Sequence, residues 1–117
     1  MHKVLIVEDD EEWQLLWEES LSDQDEIQII HAFSIPEAEE QFEQNPGISA
    51  VVMDACVPGD EPNTVPLVQK MRKSFSGPMI AASSAKKCRD KLVAAGCSHQ
   101  ADKCDIPQKL LQVLGIS

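Results

Sequence analysis

The chain has 117 residues, 10 lysines and arginines against 20 aspartates and glutamates, and a net charge of −10. That length is room for one core, and a chain of this size buries roughly two-thirds of its unfolded surface without help from disulfides or metal. The acidic balance argues against a nucleic-acid partner, which needs a basic face, and suits cations or basic protein surfaces.

The first apolar run, residues 4–7 ("VLIV"), reads as a strand covered on both faces. It is too short for a signal peptide or a membrane span, so the expected compartment is the cytosol, with no membrane partner. Trp13, Leu16, Trp17 and Leu21 then recur at helical spacing. Residues 27–30 read as a second strand near an edge. Ser34 and Glu37 match a capping box, followed by Ile35, Ala38 and Phe42 on a buried stripe.

Asn45, Pro46 and Gly47 close that helix, and residues 50–53 form a third strand. Asp54 ends it, with Pro58 and Gly59 as the stop and a polar loop over residues 59–66. Thr64 is the expected N-cap of a helix that turns Leu67, Val68, Met71 and Phe75 inward. A turn at residues 76–78 leads to a fourth strand, residues 79–82. The next helix carries Ala85, Cys88, Leu92 and Ala95 on one face and ends at Gly96. A weak fifth strand falls near residues 99–102, and Asp105 with Gln108 caps a last helix bearing Ile106, Leu110, Val113 and Leu114.

Alternating strands and helices imply an α/β domain with a parallel sheet, whose ligands sit beyond the carboxyl ends of the strands. Those ends carry Glu8, Asp9 and Asp10, then Asp54, then Ser83 and Ser84, then Lys103. Converging carboxylates repel unless a hard cation relieves them, and magnesium prefers such oxygen ligands. Asp10, Glu11 and Glu12 read as the solvated first turn of a helix, favoured by its dipole. Alone, Asp54 would be a turn residue, Ser83 a helix cap and Lys103 a surface lysine.

Taken in order, "VLIVEDD", "MDACVPG", "PMIAASSA" and "GCSHQADK" resemble the receiver domain of two-component response regulators, over the whole chain. The resemblance implies a flavodoxin-like (βα)5 three-layer sandwich with a parallel sheet of order 2-1-3-4-5. It implies one receiver domain over residues 1–117, with no effector domain unless the chain was cut from a longer one. It makes Asp54 the phosphoacceptor, fed by a sensor histidine kinase or histidine phosphotransfer protein, with Lys103 and Ser83 contacting the phosphoryl group. Mg2+ is expected on Asp9, Asp54 and the backbone carbonyl of Cys56, with Glu8 acting through a water. Magnesium-dependent self-phosphorylation, slow autodephosphorylation and output through a downstream protein follow from the same resemblance.

The chain departs from the pattern in places. Cys104 stands where a proline often follows the lysine, and Gln100 where the fifth strand usually carries an aromatic. The segment between Ser83 and Gly96 is slightly short, and the loop after Asp54 slightly long. These departures motivate an alternative, a degenerate receiver that binds protein without phosphate. A haloacid dehalogenase-type hydrolase also uses an aspartate after a strand, but wants a second acid where Cys56 stands. The four cysteines show no CxxC, and Cys88, Cys97, Cys104 and His99 match no zinc spacing. Cys56 is expected at the pocket mouth, where its thiol could sense oxidants. Trp13 and Trp17 read as helix-face packing or a partner surface.

Overall fold

The computed structural model describes residues 1–57 and 63–116. The stop expected at Pro58 and Gly59, and the first part of the loop after it, lie outside the described residues. Among the described residues, strands and helices alternate along the chain. They are β1 (His2–Val7), α1 (Glu11–Ser20), β2 (Ile27–Ala32), α2 (Ile35–Gln44) and β3 (Ile48–Asp54). They continue as α3 (Val65–Arg72), β4 (Met79–Ala82), α4 (Lys86–Ala95), β5 (His99–Ala101) and α5 (Ile106–Leu114), with a 3-10 turn at Lys103–Asp105. All pairings are parallel and the order is β2-β1-β3-β4-β5, so β2 is an edge strand. Parallel neighbours need crossovers, and the helices provide them.

The strands are apolar throughout because both faces are covered, and period-two alternation divides their side chains between two cores. Leu5 and Val7 of β1 join Val51, Met53, Met71 and Leu92 on the side of α2, α3 and α4. Val4 and Ile6 join Trp17, Val52, Ile80, Ile106 and Leu110 on the side of α1 and α5.

Several local expectations are corrected. On α1, Leu16 is exposed and Gln14 is buried in its place. Ser34 caps α2 by accepting from Glu37 N, but Glu37 returns its bond to Phe33 N, one residue before the cap. Thr64 stands at the N-cap of α3 without capping it. Its buried hydroxyl donates to the carbonyls of Asp54 and Ala55 and ties the helix start to the end of β3. Asp105 makes no side-chain cap either; Asp102 does the capping, one turn earlier, by accepting from Cys104 N. Gly96 ends α4 as expected, with φ +141°, a conformation that L side chains rarely adopt.

Candidate functional site

Sheet register brings the strand ends level. Val7 pairs with Met53, Asp54 with Ala82, and Ala82 with Ala101. Glu8, the first residue past β1, therefore meets Asp54, the last of β3. Ser83 lies one residue beyond β4 and Lys103 two beyond β5. One carboxylate oxygen from each of Glu8, Asp9 and Asp54 lies within 4.8 Å of the others. Lys103 Nζ donates to Glu8 Oε1 at 3.1 Å and stands 3.6 Å from Asp54 Oδ1. The lysine thus pairs with both carboxylates, Glu8 being the nearer. Ser83, Ser84 and Cys56 line the same open cavity of about 400 Å³. Asp10 reaches its rim while capping α1 through Glu12 N at 2.9 Å.

Charge in this cluster is unbalanced. Glu8 is wholly buried and Asp54 is 3% exposed. Burial, then the neighbouring Asp54 carboxylate, push Glu8 up to about 8 against the pull of Lys103. Burial also raises Asp54, with Asp9 adding to it, while Glu8, Lys103 and the Cys56 N–H pull it down. For Lys103, burial disfavours the charge, but the Asp54 and Glu8 carboxylates outweigh it and hold the ammonium above its ordinary range.

Among the described residues, Glu8 Oε2 is the buried side-chain oxygen with no hydrogen-bond partner. An unpartnered buried carboxylate oxygen is costly. Beside two more carboxylates it makes a set of hard oxygen donors that suits a divalent cation such as magnesium. Cys88, Cys97, Cys104 and His99 form no such group among the described residues.

Surrounding bonds hold the strand ends. Ser83 Oγ accepts from Ala85 N at 3.1 Å, so the hydroxyl serves the turn rather than a helix cap. The Ser83 carbonyl accepts from Arg89 Nη1 at 2.6 Å. Arg89 Nε in turn donates to Gln100 Oε1 at 3.1 Å, and Gln100 Nε2 to Asp90 Oδ1 at 3.2 Å. Gln100, where an aromatic was expected, is thus tied to α4.

Sequence reasoning missed three contributors. Gln14 sits behind the acids and donates to main-chain carbonyls, including that of Glu8. Trp17 Nε1 donates to the Lys103 carbonyl at 2.9 Å. Trp13 packs on Trp17, with ring centroids 5.6 Å apart, and presents its face to Lys103 Nζ at 5.8 Å. One signal was available: a buried indole N–H needs an acceptor, and two tryptophans four residues apart share a helix face.

No protein-family model and no curated protein matches this chain. Solved structures do. A two-component response regulator from Clostridium difficile superposes with a TM-score of 0.83 at 16% identity, over 98% of this chain and 97% of that one. The BeF3-activated N-terminal receiver domain of Klebsiella pneumoniae RstA gives 0.80 at 24% identity, over 97% and 96%. A putative response regulator from Chloroflexus aurantiacus gives 0.76 at 19% identity, over 97% and 98%. Many neighbours are receiver domains, and the fold is the flavodoxin-like fold of response regulator receivers.

Proposed function

We propose that this chain is a response regulator receiver that accepts a phosphoryl group on Asp54 from a sensor histidine kinase or histidine phosphotransfer protein. The observation that carries the reading is the meeting of Asp54 with two further carboxylates and the Lys103 ammonium at one end of the sheet. A carboxylate oxygen of Asp54 attacks phosphorus in line, and the phosphorus–nitrogen bond of the donor histidine breaks with its electron pair leaving on nitrogen. Lys103 follows the negative charge from Glu8 and Asp54 to a phosphoryl oxygen. Ser83 Oγ, which now accepts from Ala85 N, would turn to donate to another oxygen and bias the domain between two states. Asp9, Asp54 and the Cys56 carbonyl would hold Mg2+, with Glu8 contacting it through a water. When bound, that ion supplies positive charge against the phosphoryl oxygens and offsets the excess carboxylate charge.

Residues 1–117 would serve as a single receiver domain that signals by protein contact, in the cytosol, without nucleic acid or membrane. No helix among the described residues is long and apolar enough to cross a membrane. Intact mass after acetyl phosphate and Mg2+ tests the reading. The expected result is one added phosphoryl group that Asp54→Asn lacks; an unmodified wild-type chain would sink it. The Klebsiella domain was solved BeF3-activated, and beryllofluoride is the matching probe for the loaded state.

A second reading is a degenerate receiver that binds a partner without phosphate. Gln100, held by Arg89 and Asp90 where an aromatic usually sits, favours it. No Asp54-dependent response to acetyl phosphate or beryllofluoride would select it.

A further inference from the structure

We propose that Trp13 and Trp17 of α1 are positioning residues for Lys103, adding constraints to those that a three-residue strand and a single 3-10 turn give it. The inference rests on the receiver reading for its catalytic meaning, but its geometry stands independently. Lys103 follows a strand of only three residues, so the sheet holds it weakly. Its carbonyl is served from its own side by the tight 3-10 turn over Lys103–Asp105 and gains no i+4 donor. The residue four positions on is Pro107, which carries no N–H. The Trp17 indole supplies a donor to that carbonyl from across the molecule at 2.9 Å, and Trp17 itself is 1% exposed and clamped between the sheet and α5.

The second constraint acts on the ammonium. Lys103 Nζ lies 5.8 Å from the centroid of the Trp13 ring, within the range at which a ring face attracts a cation. Glu8 Oε1 meets the same nitrogen at 3.1 Å. Main chain and side-chain tip are therefore fixed by neighbours four residues apart on one helix, whose rings brace each other at an interplanar angle of 31°. The side chain between them reaches into the acidic cluster, where its ammonium meets Glu8 at 3.1 Å and Asp54 at 3.6 Å. Neither tryptophan is a candidate metal ligand, so the pair should govern transfer and not cation affinity.

Two measurements test this on the full chain. In spectra of 15N-lysine protein, an ammonium held against Glu8 exchanges slowly and gives a signal that Lys103→Met assigns. That signal should be present in wild type and lost in Trp17→Phe and in Trp13→Leu, with the other lysine signals unmoved. Phosphorylation by acetyl phosphate should slow about 10-fold in both variants, because a displaced catalytic group costs rate steeply, while Mg2+ affinity stays at the wild-type value. A Lys103 signal that is absent in wild type or persists in folded Trp17→Phe overturns the proposal, as do wild-type transfer rates. Should Trp17→Phe not fold, half-buried Trp13→Leu decides by the same criteria. If wild type takes up no phosphoryl group at all, the receiver reading fails and the lysine spectra still decide the positioning claim.

Discussion

Gln14 Nε2 donates to the carbonyl of Glu8 at 3.2 Å, from a side chain only 2% exposed. The same nitrogen reaches the carbonyls of Ile6 at 3.0 Å and Ala32 at 3.2 Å, so one amide staples the ends of β1 and β2 directly behind the acids. With the amide nitrogen committed to carbonyls, Oε1 faces His31 Nδ1, which must then carry its hydrogen. Gln14→Ala should destabilise the protein by about 2–4 kcal/mol, combining a cavity with carbonyls that lose their donor. Urea unfolding measures this, with exposed Leu15→Ala as a control expected to lie within about 0.5 kcal/mol of wild type.

Metal-free protein should lose stability as pH rises across the neutral range. Glu8 is raised from the ordinary 4.5 to about 8, so the folded state holds a proton that the unfolded state has released. Where the native state binds more protons, stability falls with increasing pH. The contribution is whole below about 4.5 and gone above about 8, and Asp54, also raised, acts in the same direction. Lys103 is raised above the ordinary lysine range and lies outside this window. Thermal melts in chelator should therefore fall between these limits. Glu8→Gln should flatten the slope, and so should millimolar Mg2+ if the carboxylates hold it.

The strands and the acids at their ends were legible because each leaves a local mark: an unbroken apolar run, then a charged residue. What was not legible depends on directions and partners. At about 100° per residue, Leu16 lies about 100° around α1 from Trp17, whereas Gln14 lies only about 60° away, so spacing alone misplaces the seam. Gln14 also bonds to main-chain carbonyls, which no residue type announces. Thr64 has the right residue for a cap, yet the end of β3 competes for its hydroxyl and wins. The resemblance aimed Lys103 at the Asp54 end of the sheet but did not give the groups that hold it, since these come from Trp13, Trp17 and Glu8 near the other end of the chain.

Arg89 links the cavity rim to β5, and its loss should loosen both. Arg89→Met keeps the length of the side chain but removes the donors to the Ser83 carbonyl and to Gln100. Half-exposed surroundings limit the cost to about 1–2 kcal/mol. The clearer readout is amide hydrogen exchange, which should speed up at residues 83–86 and at β5 while β1 and β3 remain protected. Gln100→Leu, which spares the Ser83 bond, should affect β5 and leave the rim as in wild type.

Gly96 and Gly47 should respond oppositely to alanine. At Gly96 the backbone has φ +141°, and an added Cβ would stand 2.7 Å from Arg72 Cγ. Arg72 cannot yield without loss. Its Nε donates to the Gly96 carbonyl at 2.6 Å, and its Nη1 donates to Phe75 O at 2.9 Å and Gly77 O at 2.6 Å. Together these bonds fasten the end of α3 to the end of α4 and to the turn before β4. Gly96→Ala combines backbone strain with displacement of that arginine, and should cost about 2–4 kcal/mol. Gly47 meets nothing within 4 Å and has no left-handed backbone, so Gly47→Ala should leave stability unchanged or raise it by up to about 1 kcal/mol. Denaturant midpoints for the two variants, compared with Arg72→Ala, distinguish strain at the glycine from loss of the arginine's bonds. If Gly96→Ala costs no more than Gly47→Ala, neither the strain nor the close approach is as described.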